Sequence, residues 1–128
     1  MRSPRQQIST GSPFEKTMGY SRAIVQGDWC FVSGVTGYDY KTMQIPDSIA
    51  DQARNCFASI DGVLAKAGFE RKDIVRVQYT VIDRDLIPGV QPVLEERLGD
   101  IRPAATMVIA GLIEPAMKIE IEVTAFRG

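Results

Sequence analysis

Ile101-Arg102-Pro103-Ala104-Ala105-Thr106-Met107-Val108-Ile109-Ala110-Gly111-Leu112 and, after a short break, Met117-Lys118-Ile119-Glu120-Ile121-Glu122-Val123-Thr124-Ala125-Phe126 are the two stretches from which the architecture is read. The second alternates strictly, with Met117, Ile119, Ile121 and Val123 on one face and Lys118, Glu120, Glu122 and Thr124 on the other, the period of a half-buried strand. Glu120 and Glu122 therefore share a face. The first is apolar in both phases from Ala104 to Ala110, which predicts an interior strand covered on both sides, or one buried between subunits. The chemistry is expected where these two strands lie together.

Working outward, Ile49, Ala53, Cys56, Phe57, Ile60, Val63, Leu64 and Ala67 recur at spacings of three and four, so a helix is predicted with Asp47 or Ser48 as N-cap. Gly68 ends it in a left-handed cap, with Phe69 placed for the closing apolar contact. Upstream, Ile24–Gln26 and Trp29–Ser33 flank Gly27-Asp28, the signature of a hairpin with a type II′ turn. Residues 34–46 read as loop or irregular edge. Downstream, Ile74–Ile82 reads as a strand, and a second helix begins around Val90 to Pro92 and runs to Leu98. Residues 1–18, broken by Pro4, Gly11, Ser12 and Pro13, are expected to be an arm with little regular structure. The order is β-β-α-β-α-β-β, an α+β domain whose two helices cover one face of a sheet. The apolar or mixed character of the other face, at Met107, Ile109 and their neighbours, argues for self-association.

A chain of 128 residues falls in the usual range of roughly 100–150 for one domain. Fifteen basic and sixteen acidic residues leave a net charge of −1 with no basic cluster, so nucleic acid is not an expected partner. No apolar run approaches the ~20 residues of a membrane span, and no signal-peptide core follows Met1, so the expected setting is cytoplasmic. Cys30 and Cys56 lack metal-ligand spacing and are expected to be buried thiols. The chain has no histidine, which removes Ser-His-Asp and Cys-His catalysis and any His-ligated metal. Neither a metal nor a cofactor is expected.

Gly19-Tyr20-Ser21, the hairpin end Phe31-Val32-Ser33-Gly34, the turn Asp39-Tyr40-Lys41-Thr42, Ala67-Gly68, Arg102-Pro103-Ala104 and Ile119-Glu120-Ile121-Glu122 together resemble the Rid family of reactive-intermediate deaminases, also called YjgF-like. The resemblance runs from about Tyr20 to Phe126. It implies a chorismate-mutase-like α+β fold assembled as a homotrimer, with the sheets inside, the helices outside and a small-molecule pocket at each interface. Active members hydrolyse short-lived enamines and imines to a carbonyl compound and ammonia. The resemblance makes Glu120 the group that handles water and protons, and makes Tyr20 and Ser33 pocket residues. In the family an arginine two residues after the Pro of the Arg-Pro-Ala motif grips the substrate carboxylate. This chain has Ala105 there, and Met107 two residues on, where many members carry a small polar or thiol side chain.

A guanidinium gives a carboxylate two charge-assisted bonds of about 1.5–3 kcal/mol each, and a methyl gives none. Either the substrate lacks that carboxylate, or another cation grips it, or the site does not catalyse. Arg22 is the candidate cation, because an extended chain from Tyr20 to Arg22 puts both on one face; the alternative is an arginine that solvates a strand end or joins an ion pair. Glu120 is either a general acid/base, its pKa raised from about 4.3 by an apolar pocket, or a salt-bridged strand residue. Tyr20 lines the pocket or packs an interface. The resulting expectation is an imine or enamine deaminase with altered specificity, using Glu120 and a pocket of Tyr20, Arg22, Ser33, Ala105 and Met107. The alternative is a non-catalytic trimer that binds a small metabolite. The older family labels of ribonuclease or translation inhibitor fit least with the charge and the missing histidines.

Overall fold

The computed structural model describes residues 4–128. Strands β1 (Arg5–Ile8), β2 (Ala23–Gln26), β3 (Trp29–Thr36), β4 (Ile74–Val81), β5 (Ala104–Ile109) and β6 (Ile119–Phe126) form one sheet in the order β1-β2-β3-β6-β4-β5. All pairs are antiparallel except β4 with β5, which are parallel and joined through a helix. The last strand of the chain is thus central, bonded to β3 on one edge and β4 on the other. Its alternation does what the pattern requires: Ile119, Ile121, Val123 and Ala125 are buried beneath α2 (Ile49–Ala67) and α3 (Ile87–Leu98), while Glu120, Glu122, Thr124 and Phe126 stand on the opposite, open face.

The long helix α2 forms as its sequence demands. Ser48 Oγ accepts the Asp51 N–H at 3.1 Å, and Ala53, Cys56, Phe57 and Ile60 are fully buried against the sheet. Burying side chains of the size of Phe57 or Ile60 contributes about 1.5–3 kcal/mol each. Gly68 takes φ 81°, and the Phe69 N–H reaches the Leu64 carbonyl at 2.8 Å, which closes the helix. In the β2–β3 hairpin Gly27 has φ 59° and Asp28 a negative φ, the signs of a type II′ turn. Cys30 and Cys56 are free and buried; burial pushes the Cys30 thiol up to about 11, and the Cys56 thiol, also raised, donates to the Val35 carbonyl at 3.2 Å.

Three sequence expectations give way. The first 18 residues are not a featureless arm, within the described part from residue 4 onward. β1 satisfies its backbone groups on the free edge of β2, and α1 (Pro13–Met18) forms behind Ser12 as N-cap and Pro13 at its first position. Second, β5 is an edge strand, mostly exposed, and β4 lies between it and β6. Its apolar pattern reflects a strand that a single chain leaves uncovered, not an interior one. Third, α3 starts at Ile87, because Pro88 occupies a first-turn position whose missing N–H costs nothing; Pro92 is accommodated inside the helix.

The helical layer is tied to the loop before β6 by one buried polar side chain. Gln52, with no exposure, donates Nε2 to the carbonyls of Pro46 (2.8 Å) and Ala116 (2.9 Å), and its Oε1 accepts the Lys118 N–H at 2.8 Å. Gly37 packs so closely that a Cβ there would lie 2.5 Å from the Gln52 Cβ. Replacing Gln52 by leucine removes the partners of three backbone groups while preserving volume. Gln52→Leu is expected to lower unfolding stability by about 2 kcal/mol or more. Urea denaturation checks this, and an unchanged midpoint would mean that water replaces the amide.

Candidate active site

Where the open face meets α1, the chain forms a cleft of about 280 Å³. Its floor is Gly34, Thr36 and Glu120, from adjacent strands; Phe14, Met18 and Tyr20 form one wall, Tyr40, Ile113 and Met117 the other. The first wall depends on the N-terminal elements. Glu15, buried on α1, accepts from Thr10 N (3.1 Å), Thr10 Oγ1 (2.8 Å) and Arg22 N (3.3 Å), which locks α1 against the start of β2. Burial alone would raise the Glu15 carboxyl, but the bonds from Thr10 and Ser9 and the Arg22 charge together outweigh it and lower the group from its ordinary value.

Glu120 sits beside the irregularity where the β3–β6 register shifts between Val32 and Val35. The glycine at position 34 leaves room for its carboxyl: a Cβ there would come within 2.5 Å of Glu120 Cδ. Burial raises the Glu120 pKa, the Glu122 charge on the same face adds to the rise, and Arg22 opposes both. Among the described residues no donor hydrogen-bonds this carboxyl. A raised, unbonded carboxyl facing a cleft is equipped to deliver a proton and take one back.

Within one chain Arg22, the candidate cation, does not line the cleft. Its side chain is 1% exposed and lies outside the cleft lining. Its Nη1 donates to Gly34 O (2.8 Å), Ser33 Oγ (3.1 Å) and Ser33 O (3.2 Å), and its guanidinium carbon lies 5.7 Å from the Tyr20 ring centroid and 5.3 Å from that of Tyr40. The guanidinium fastens the Ser33-Gly34 backbone beneath the carboxyl and backs both aromatic walls. Ser33 is held too, its hydroxyl bonded to the Ser21 and Arg22 carbonyls at 3.0 Å, and it opens on a neighbouring depression that also includes Tyr20 and Glu122.

Ala105 and Met107 are not brought to Glu120 within one chain. They pair with Val77 and Tyr79, whose side chains lie under the helices, and Met107 packs against that core. Sheet parity therefore places them on the face opposite Glu120 and at the far edge of the sheet. Sequence reasoning missed Phe14, Met18, Thr36, Tyr40, Ile113 and Met117. The signal for the first two was present in Ser12-Pro13 ahead of Gly19, a cap, a first-turn proline and a helix-ending glycine.

The close approach at Gly34 has a measurable consequence. The atoms nearest an added methyl are the end of a flexible side chain, so Gly34→Ala is expected to leave the fold intact and push the Glu120 carboxyl toward water. Its pKa should fall toward the ordinary carboxylate value, read by carboxyl carbon NMR titration; an unmoved titration would contradict the packing.

Comparison with known proteins agrees with this architecture. The family model described as Endoribonuclease L-PSP matches residues 10–127. A RutC family protein of Pyrococcus horikoshii is 30% identical over 84% of this chain and 86% of its own length. A protein of Dermatophagoides farinae named 2-iminobutanoate/2-iminopropanoate deaminase is 26% identical over 94% of each chain. The crystal structure of a YjgF family member from Mycobacterium tuberculosis superposes with a TM-score of 0.87 at 35% identity, covering 97% of this chain and all of that one. The sheet order, the cleft-facing glutamate on the last strand and these matches together mean that the chain belongs to the Endoribonuclease L-PSP family, the YjgF/Rid family.

Proposed function

We propose that this protein is an imine or enamine deaminase, a hydrolase acting on C=N with Glu120 as its acid–base group. The observation that carries the reading is the Glu120 carboxyl, raised in pKa and without a bonded donor among the described residues, at the floor of a cleft of small-molecule size. The protonated carboxyl gives its proton to the imine nitrogen and, as carboxylate, takes one from the water that attacks carbon. In the resulting carbinolamine the same group protonates the amine, the C–N bond breaks, and the carboxylate takes back the hydroxyl proton as the C=O bond forms. The balance is imine plus water to carbonyl plus ammonia. The deaminase name of the Dermatophagoides farinae relative supports this class.

The cytoplasmic homotrimer expected from the sequence belongs to this proposal. The open face exposes Trp29, Phe31 and Phe126, stacked or tilted on one another with Trp29 and Phe126 centroids 4.5 Å apart, and β5 exposes Val108 and Ile109. Such surface favours burial against further copies. Association would also be the means by which Ala105 and Met107, at a sheet edge, approach a neighbour's Glu120. The second reading, a trimer that binds a small metabolite without turnover, is favoured by Ala105 alone. An RNA-cleaving role, the activity in the family description, gains nothing from a chain with no histidine and a net charge of −1.

Glu120→Gln should abolish ammonia release above the spontaneous rate from enzymatically generated imines while leaving the fold intact. Turnover that survives the substitution would remove Glu120 from the mechanism. The same variant reports the pKa independently. Because the folded-state pKa is raised, the wild-type carboxyl favours the fold only while protonated, and that contribution is lost as pH rises through the folded value. Glu120→Gln should therefore melt higher than wild type at pH about 8 and no higher at pH about 4, by thermal unfolding at both.

A further inference from the structure

We propose that the substrate of this cleft is an apolar imine that carries no carboxylate, because the cleft walls are aromatic and aliphatic and its one charged lining group among the described residues is Glu120. The inference rests on the hydrolase reading of Glu120 and goes on to name what the site accepts.

The walls are Phe14, Met18, Tyr20, Tyr40, Ile113 and Met117, which offer apolar surface and two phenol rings. Thr36 is partnered by Tyr40, whose hydroxyl accepts the Thr36 N–H at 3.2 Å and lies 3.4 Å from Thr36 Oγ1. Arg22 lies behind the two rings, outside the cleft lining and 1% exposed, with Nη1 bonded to three oxygens of Ser33 and Gly34, so no cation among the described residues lines the cleft. The β5 positions that association could bring to the site are a methyl and a thioether, Ala105 and Met107. A substrate carboxylate would then stand in an apolar cleft beside Glu120, with Glu122 on the same face, and like charges with no cation among the described lining residues to pair them disfavour binding. A neutral imine meets no such repulsion, and its protonated form is attracted by the Glu120 carboxylate and the ring faces of the tyrosines. At about 280 Å³ the cleft takes a phenyl or branched alkyl group beside the C=N bond. The reaction that supplies such a compound is the two-electron oxidation of a primary amine; oxidation of an α-amino acid leaves the carboxylate in place.

The test uses matched pairs that differ only in the carboxylate. An amine oxidase acting on phenethylamine or isopentylamine generates the carboxylate-free imines; an amino-acid oxidase acting on phenylalanine or leucine generates the corresponding α-imino acids. Ammonia release above the spontaneous rate is followed with wild type, Glu120→Gln and Met18→Arg, the last placing a guanidinium at an exposed lining position. The expected result is Glu120-dependent acceleration at least about tenfold greater for the carboxylate-free member of each pair, with Met18→Arg shifting the preference toward the acids. Glu120-dependent hydrolysis that is equal for both, or faster for the α-imino acids, overturns this inference and leaves the hydrolase reading standing. Acceleration of neither member of either pair overturns the hydrolase reading and the inference with it.

Discussion

The structure depends on the place of β6. A strand paired on both edges has its two side-chain faces fixed by register: a slip of one residue would bury Glu120 and Glu122 and expose Ile119, Ile121 and Val123. The core and the cleft are therefore two sides of one constraint. What α2 and α3 gain by covering the apolar side also aims a carboxylate into the open side.

Around that carboxylate the fold spends its polar groups on rigidity. The Arg22 guanidinium, buried beneath the cleft, holds the Ser33-Gly34 backbone and both tyrosine walls; the Glu15 carboxylate pins α1; and Gln52 ties the loop before β6 to α2. Glu120 is left as the ionisable group of the cleft with no such commitment among the described residues. Its raised pKa follows from that contrast, since burial disfavours the charge and no bonded donor compensates. A fixed frame around one free proton carrier suits general acid–base chemistry.

The open face is the part of the molecule that a single chain leaves unfinished. Trp29, Phe31, Phe126 and Val108 are exposed where helices cover the other side of the sheet, and Ile109 is exposed at its edge. The apolar run Ala104–Ile109 was legible as surface to be buried, yet its position was not, because a parallel edge strand and a doubly covered interior strand have the same composition.

The sequence by itself determined the helix α2 with its glycine cap and an N-cap at Asp47 or Ser48, the β2–β3 hairpin with its turn, the two-faced character of β6 and the placing of Glu120 with Glu122 on one side. Each of these rests on local periodicity or turn chemistry acting over a few residues. Motif resemblance supplied the family and pointed to Glu120 and Tyr20, which the fold brings into one cleft. Only the tertiary structure decided that β4 lies between β5 and β6, that Ala105 and Met107 face away from Glu120, and that Arg22 props the site from below. Tyr40, Ile113 and Met117 join Tyr20 across long separations in the chain. Strand order and burial are set by contacts between residues distant in sequence, and no local pattern encodes which edge a strand will take or which face a neighbouring element will cover.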